Sequence, residues 1–283
     1  MKISPKNIVN QIVDKIKPIY EESEARAIGR MILEELFEVN STDLVLNKEI
    51  ELTRGNLEKL PEIIARLLNH EPIQHILGYA WFMGKKYRVG PDVLVPRQET
   101  EELVDLILRE NDKPGLKILD IGTGSGCIGI SLEYLLPDAD VHALDVTESS
   151  LKIAAENAQN NDVNITFYQV DILKEFPPLD EIDLIVSNPP YVTEKEKVNI
   201  KKNVLDYEPE EALFVPDDDP LVFYHRIADL ALQKLKVGGR LYFELNESLG
   251  PETEQLLLGK GFKEVKTYKD LNGKDRMAVG VKF

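Results

Sequence analysis

The fold of this chain is decided by the stretch KILDIGTGSG at residues 117–126, where a short apolar run leads directly into a glycine-rich turn. The apolar run predicts a buried strand, and the glycines allow the backbone to turn sharply close to a ligand. Further apolar runs follow at 141–146, 165–170, 183–188 and 240–245, with helical segments between most of them. This alternation predicts an α/β fold in which a parallel sheet carries helices on both faces.

The rest of the chain completes a three-part organisation. Two more candidate strands, at 262–268 and 276–282, bring the predicted sheet to seven strands. Residues 1–75 carry apolar residues at helical spacing and predict a small N-terminal helical domain. Residues 76–96 are rich in aromatic and β-branched residues and predict a β-hairpin, which links the helical domain to an α/β domain at 97–283.

Composition restricts the classes of function. The 283-residue chain has a formal net charge of −16, whereas proteins that bind many phosphates carry a basic face, so no stable nucleic-acid binding is expected. The N-terminus lacks the apolar core of a signal peptide and no run of about 18 apolar residues exists, so no membrane association and a cytoplasmic location are expected. The lone Cys127 forms no internal disulfide, and the histidines lack metal-ligand spacing, so no metal is predicted.

The glycine-rich turn indicates a cofactor site. Dinucleotide sites favour the spacing G-x-G-x-x-G, with a pyrophosphate at the helix N-terminus. Here the spacing is D-x-G-x-G-x-G, and an acid at the strand end suits a cationic ligand better than a pyrophosphate. The turn residues predicted to bind the cofactor are Asp120, Gly122, Thr123, Gly124, Ser125 and Gly126.

Acidic residues also end the next two strands. Asp145 follows the second strand, where a carboxylate accepts both hydrogens of a ribose diol; alternatively, Asp145 or Thr147 caps the next helix. Asp171 follows the third strand, where a carboxylate would accept from an adenine amino group while Ile172 packs on the ring. The alternative for Asp171 is an ordinary turn aspartate.

The tetrapeptide Asn188-Pro189-Pro190-Tyr191 ends the fourth strand. Two successive prolines remove two backbone donors and stiffen the loop, and the proline that follows holds Asn188 extended. The carbonyl groups of Asn188 and Pro189 are then free to accept hydrogen bonds from a planar NH₂ group, while Tyr191 would cover its flat face. Ligands bind at the carboxyl ends of strands in open α/β sheets, so the tetrapeptide predicts a site for an amide or amino nitrogen.

Taken together, these motifs resemble those of a known family. The turn followed by N-P-P-Y resembles the class I methyltransferases that methylate amide or exocyclic amino nitrogens. The stretches VPRQETE (95–101), YEPEEAL (207–213) and KDR (274–276) narrow the resemblance to the peptide chain release factor glutamine methyltransferases, the PrmC/HemK family. The order of helical domain, hairpin and catalytic domain is also similar. Local departures stand at Asp219-Pro220-Leu221 and at Glu244-Leu245-Asn246-Glu247.

The resemblance implies a Rossmann-like class I methyltransferase fold, S-adenosylmethionine as cofactor and S-adenosylhomocysteine as product. The substrate would be the glutamine of the GGQ tripeptide in bacterial class I release factors, methylated at N5. Gly122 to Gly126, Asp145 and Asn188 would bind the cofactor, and residues 188–191 the glutamine. Asn188, Pro189 and Tyr191 are then the candidate catalytic residues. Two acceptors would orient the NH₂ group and favour positive charge developing on nitrogen, without a strong general base.

Four residues within VPRQETE have two interpretations. Arg97, Glu99, Thr100 and Glu101 line the mouth of the site, or they begin a helix with Thr100 as its cap and acids in its first turn.

Three alternative functions stay open at this stage. The first keeps methyl transfer but changes the acceptor to a ribosomal protein glutamine or to an adenine amino group of nucleic acid. The second is a nicotinamide-dependent oxidoreductase, although the glycine spacing does not fit one. The third is a binding module of the same architecture without catalysis, against which the intact N-P-P-Y counts.

Overall fold

The computed structural model describes residues 2–39, 41–46, 48–51 and 54–283. The chain forms two compact units, the first comprising the chain up to Gly78 with Lys201–Tyr207, the second comprising Tyr79–Ile200 with Glu208–Phe283. In the described part of the chain, no helix combines the length and apolar character needed to cross a membrane. The domain boundaries predicted at residues 75 and 96 stay predictions.

The first unit is mainly helical. The predicted helical domain also includes Met1, Asn40, Asn47, Leu52 and Thr53, which lie outside the described residues. The elements up to residue 78 are β1 (Lys2–Ile3), α1 (Pro5–Ile16), α2 (Glu22–Phe37), α3 (Ser41–Leu46), β2 (Ile50–Glu51), α4 (Arg54–Leu68) and α5 (Ile73–Leu77). Apolar side chains one helical turn apart in α1, such as Ile12 and Ile16, pack against Ile32 and Leu67 in a core from which water is excluded.

The second unit begins with the predicted β-hairpin. Strands β3 (Tyr79–Phe82) and β4 (Lys85–Arg88) pair antiparallel. Met83 and Gly84 between them both have positive φ, 46° and 74°, as the mirror-image turns of two-residue hairpins require. The carboxylate of Glu101 accepts a hydrogen bond from the Met83 N–H at 2.6 Å and so supports the turn.

Strands and helices alternate through the rest of the chain. The helices are α6 (Gln98–Glu110), α7 (Cys127–Leu135), α8 (Glu148–Asn160), α9 (Lys202–Leu205, in the first unit), α10 (Val222–Lys234) and α11 (Gly250–Lys260). The strands are β5 (Lys117–Ile121), β6 (Asp140–Asp145), β7 (Thr166–Gln169), β8 (Ile182–Ser187), β9 (Val192–Thr193), β10 (Phe214–Val215), β11 (Leu235–Glu244), β12 (Lys263–Lys269) and β13 (Asp275–Val281).

One seven-stranded sheet has the order β12-β13-β11-β8-β5-β6-β7. The strand β13 runs antiparallel to both of its neighbours, and the other pairs are parallel. The predicted Rossmann-like, mostly parallel sheet is therefore confirmed. Because β6 lies on one side of β5 and β8 on the other, the sheet changes direction of growth between β5 and β8, which is where ligands bind in this class of fold.

Both faces of the sheet are covered by helices. Alternate residues of β5 point to opposite faces: Ile118 packs in the core with α6 and α7, whereas Leu119 and Ile121 pack in the core with α10. At the carboxyl ends of the parallel strands, loops rather than helices therefore cover the sheet.

Gly126 marks the start of α7, the helix that follows β5. It has φ +82°, and a Cβ at this position would lie 2.8 Å from Ile130 Cδ1 and 3.2 Å from Ala154 Cβ. The close approach of α8 therefore depends on the missing side chain. Gly273, in the turn between β12 and β13, has nearly the same φ of +79° but no heavy atom within 4 Å of such a Cβ.

Replacing Gly126 with Ala is expected to lower the free energy of unfolding by about 1–2 kcal/mol for the left-handed backbone and by about 1–3 kcal/mol more for overpacking. The matched control Gly273→Ala carries only the first cost. Urea unfolding followed by the fluorescence of Trp81, the single tryptophan, measures both. Equal destabilisation by the two substitutions would contradict the close-packing account.

Candidate active site

A cavity of about 570 Å³ lies at the carboxyl ends of the strands in the second unit. Small-molecule sites commonly enclose roughly 300–1,000 Å³. The walls come from the turn after β5, the end of β6, the segment after β7 and the tetrapeptide after β8. The cavity therefore occupies the point between β5 and β8 at which the sheet reverses direction.

The glycine-rich turn forms one wall. Gly122 and Gly124 have positive φ, and a Cβ added to either would meet no heavy atom within 4 Å, so open space adjoins both. The N–H groups of Gly122 and Thr123 each donate to the carbonyl of Leu144 at 2.9 Å, which attaches the turn to the end of β6. Gly122, Thr123, Gly124 and Ser125 line the cavity, whereas Gly126 does not, and the cofactor-binding role of the turn stays a prediction.

Asp120 lies behind this wall. Its side chain is fully buried, and its Oδ2 accepts from Thr123 Oγ1 at 2.7 Å and from the Gly129 N–H at 3.0 Å. Burial raises the pKa of Asp120 to about 6, and the two hydrogen bonds oppose that rise. The observed contacts make Asp120 a support for the turn, and its predicted direct contact with a cofactor stays a prediction.

Asp145 stands on the cavity wall at the end of β6. Its Oδ2 accepts from the Gly124 N–H at 2.9 Å, and its Oδ1 accepts from the N–H and hydroxyl of Thr147 at 3.1 and 3.2 Å. Thr147, not Asp145, is the N-cap of α8, since the Thr147 hydroxyl accepts from the Ser150 N–H. The Asp145 carboxylate is therefore held firmly at the cavity, with lone pairs left for a ligand.

The segment after β7 contributes an apolar wall. Val170, Ile172 and Leu173 line the cavity together with Val146, whose side chain is 49% exposed. Asp171 accepts from the Leu173 N–H at 3.0 Å and pairs with Lys174 at 2.7 Å, and that contact with Lys174 lowers the pKa of Asp171. The turn role is thus observed for Asp171, and its contact with an adenine amino group stays a prediction.

The tetrapeptide after β8 forms a further wall. Asn188, Pro189 and Pro190 line the cavity, and the Ser187 hydroxyl before them donates to the Ile121 carbonyl at 2.7 Å. The Tyr191 hydroxyl instead donates to Glu244 at 3.1 Å, and Tyr191 is not among the residues that line the cavity. The predicted stacking of Tyr191 on a substrate stays a prediction.

Residues 97–101 divide between the two interpretations made from sequence. Arg97 and Thr100 line the cavity, whereas Glu99 does not and Glu101 supports the hairpin. The idea that Thr100 caps a helix is wrong: Arg97 holds the N-cap position, and the Thr100 hydroxyl donates to Glu244 at 2.6 Å. Tertiary contact with a distant strand end, rather than local capping, determines the place of Thr100.

Sequence reasoning missed two buried acids next to the site. Glu208 accepts from Arg97 at 2.6 Å and from the Val95 N–H at 3.1 Å; burial raises its pKa and the charge of Arg97 opposes that rise. Glu244, 1% exposed, ends β11. The signal for Glu244 was present, because it is an acid at a strand end, as Asp120 and Asp145 are.

Cys127 lies against the cavity, but burial raises the pKa of its thiol to about 12, so it remains a packed, protonated side chain. No cluster of three or more His, Cys, Asp or Glu side chains suited to a metal ion occurs among the described residues.

Asp120 gives the stability of the protein a defined pH dependence. Its folded pKa of about 6 exceeds its ordinary value of 3.8, so the folded state holds this proton more tightly, and the resulting stability is lost as pH rises through about 6. From about pH 4.5 to about 7.5, the free energy of unfolding of the wild type should fall by about 2 kcal/mol relative to Asp120→Asn. Urea titrations of both proteins at the two pH values test this, and a difference independent of pH would contradict it.

Comparison with known proteins places this chain in a family. The chain matches the family models "Methyltransferase small domain" over residues 99–211 and "PrmC N-terminal domain" over residues 7–78. A release factor glutamine methyltransferase of Bacteroides thetaiotaomicron is 46% identical over 271 residues, covering 95% of this chain and 97% of that protein. One of Flavobacterium psychrophilum is 46% identical over 276 residues, covering 96% and 97%.

A solved structure supports the fold. A methyltransferase from Pyrococcus furiosus superimposes with a TM-score of 0.53 at 22% identity, covering 79% of this chain and 98% of that one. With two family models matched over both parts of the chain and relatives at 46% identity over nearly its whole length, this protein belongs to the release factor glutamine methyltransferase family.

Proposed function

We propose that this protein transfers a methyl group from S-adenosylmethionine to N5 of the glutamine in the GGQ motif of bacterial class I release factors. The observation that carries the proposal is that the glycine-rich turn and the Asn188-Pro189-Pro190 loop line one and the same cavity. Had the loop lain away from the turn, a methyl donor and a carboxamide would have had no common site.

The cavity fits the proposed cofactor. Gly122 and Gly124 present backbone to open space, and the Asp145 carboxylate on the cavity wall would accept the hydrogens of a ribose diol. The apolar wall formed by Val146, Ile172 and their neighbours suits the faces of an adenine ring. When bound, S-adenosylmethionine supplies an electrophilic methyl group on a positively charged sulfur.

The loop after β8 supplies the means of holding a carboxamide. Pro189 and Pro190 lack N–H groups, so the backbone offers the cavity acceptors there, and the prolines limit the conformations of those acceptors. An amide nitrogen is a poor nucleophile because its lone pair is delocalised into the carbonyl. Two acceptors that fix the NH₂ group oppose that delocalisation as positive charge develops on nitrogen. Positioning of this kind can supply roughly 7–11 kcal/mol of a barrier.

Charge favours a protein substrate over nucleic acid. The net charge of −16 would repel a phosphate backbone at long range, whereas a peptide loop needs no such footprint. The nitrogen in the site is accordingly that of a glutamine side chain rather than that of an adenine base.

The Asn188→Ala variant is expected to lose at least about 100-fold in turnover, as happens when a preorganised hydrogen-bonding group aimed at a transition state is removed. The assay is mass spectrometry of the GGQ peptide after incubation of release factor, enzyme and S-adenosylmethionine, with duplex DNA as the alternative substrate. Asn160→Ala, at the exposed end of α8, is the matched control and keeps wild-type turnover. Wild-type turnover by Asn188→Ala, or methylation of DNA alone, would contradict the proposal.

Asp145→Ala is expected to weaken S-adenosylmethionine binding by about 10- to 100-fold, because hydrogen bonds to an ionised group are lost. Asp171→Ala should weaken binding less, since Lys174 already neutralises that carboxylate. Isothermal titration calorimetry measures each Kd, with the exposed Asp112→Ala as control. A larger effect at Asp171 than at Asp145 would overturn the assignment of the ribose contact.

A further inference from the structure

A buried carboxylate lies behind the tetrapeptide without lining the cavity. Glu244 ends β11, which runs parallel to β8, and the preceding residue Phe243 is paired with Ser187. Its Oε2 accepts from the Thr100 hydroxyl at 2.6 Å and its Oε1 accepts from the Tyr191 hydroxyl at 3.1 Å. Burying a carboxylate costs free energy. If this position only had to fill space in the core, an apolar side chain would be favoured.

The direction of the Thr100–Glu244 hydrogen bond affects Asn188, a residue that lines the cavity. The Thr100 hydroxyl donates to Glu244, and a threonine hydroxyl has one hydrogen, so that hydrogen is committed to Glu244. Thr100 Oγ1 can then only accept from the Asn188 side chain, whose Nδ2 lies 3.3 Å away. The Asn188 amide nitrogen is thereby engaged with Thr100, and its Oδ1 remains to accept from a ligand in the cavity that both residues line.

The same carboxylate also holds the other end of the loop. Tyr191 donates its hydroxyl to Glu244, while the Asn246 side chain donates to the Tyr191 carbonyl at 3.3 Å. Burial raises the pKa of Glu244, whereas the hydrogen bonds from Thr100 and Tyr191 and the charge of Arg276 oppose that rise. Both ends of the tetrapeptide thus depend on groups at the end of β11.

We propose that Glu244 is a positioning residue for methyl transfer, which acts through Thr100 to turn the Asn188 carboxamide oxygen towards the substrate and through Tyr191 to hold the loop. The inference rests on the proposed function, since it gives the Asn188 oxygen the task of binding the glutamine NH₂ group. With the Asn188 carboxamide turned the other way, its NH₂ group would face the NH₂ group of the substrate, and the side chain would offer no acceptor beside the backbone carbonyls.

Two substitutions separate positioning from simple structural support. Glu244→Gln replaces an acceptor by a group that also donates, and Thr100→Val removes the hydroxyl at nearly constant shape. Each should lower kcat by about 10-fold or more while the Kd for S-adenosylmethionine stays within about twofold. Because both break one chain of hydrogen bonds, the double variant should be about as slow as the slower single variant. Thr100→Ser, which keeps the hydroxyl, should be at least about fivefold faster than Thr100→Val.

Release factor methylation is followed by mass spectrometry, and Trp81 fluorescence with cofactor binding verifies folding. If Glu244→Gln fails to fold, the Thr100→Val and Thr100→Ser pair decides alone. Wild-type kcat in the single variants, multiplicative losses in the double variant, or no recovery in Thr100→Ser would overturn the positioning role while leaving the proposed function intact. Failure of the wild-type enzyme to methylate the release factor would overturn both.

Discussion

The parallel pairing of β5 with β8 is the constraint on which the site depends. Ile121 and Ser187 are register partners at the ends of these strands, and the Ser187 hydroxyl donates to the Ile121 carbonyl at 2.7 Å. The glycine-rich turn follows β5 and the N-P-P-Y loop follows β8, so the two segments leave the sheet side by side. Because β6 and β8 lie on opposite sides of β5, no crossover connection covers the gap, and the cavity occupies it. The two chemical halves of the site are brought together by strand register rather than by contacts that they make with each other.

Buried carboxylates that do not line the cavity hold the segments of its walls in place. Asp120 holds the turn through Thr123 and the Gly129 N–H, and Glu208 holds Arg97 and the Val95 N–H. Each carboxylate accepts at least two hydrogen bonds, which offsets much of the cost of burial. A loop held by a buried acceptor loses conformational freedom before any ligand arrives, so less of the binding energy is spent on ordering the site.

The sequence predicts the fold closely because apolar runs and turn residues report local structure directly. Most predicted strands begin and end within a residue or two of the observed ones; β11 begins earlier, at Leu235, where its register with β8 is irregular before Arg240. Cavity-lining positions at Gly122, Gly124, Asp145 and Asn188 follow from the same reasoning, since all stand at strand ends. The environment of Thr100 could not be predicted in this way. Its partner Glu244 is distant in sequence, and the spacing of residues along the chain carries no information on such a contact. Asp120, predicted to bind the cofactor, lies on the same face of β5 as Ile118, and its contacts with Thr123 and Gly129 depend on tertiary packing that the turn motif does not report.

In the N-P-P-Y loop, a stiff backbone alone does not fix the orientation of the Asn188 side chain. Prolines fix the backbone that carries the acceptors, yet the carboxamide of Asn188 still turns about a soft sp³–sp² torsion with two nearly equivalent orientations. A neighbouring hydroxyl distinguishes these orientations only if its own hydrogen is fixed, and hydroxyl groups rotate freely until an acceptor takes that hydrogen. Glu244 provides this acceptor, and Tyr191 occupies its second oxygen. Each remaining freedom is removed by a group one step further from the cavity, so the orientation of the Asn188 carboxamide is determined in the core of the sheet.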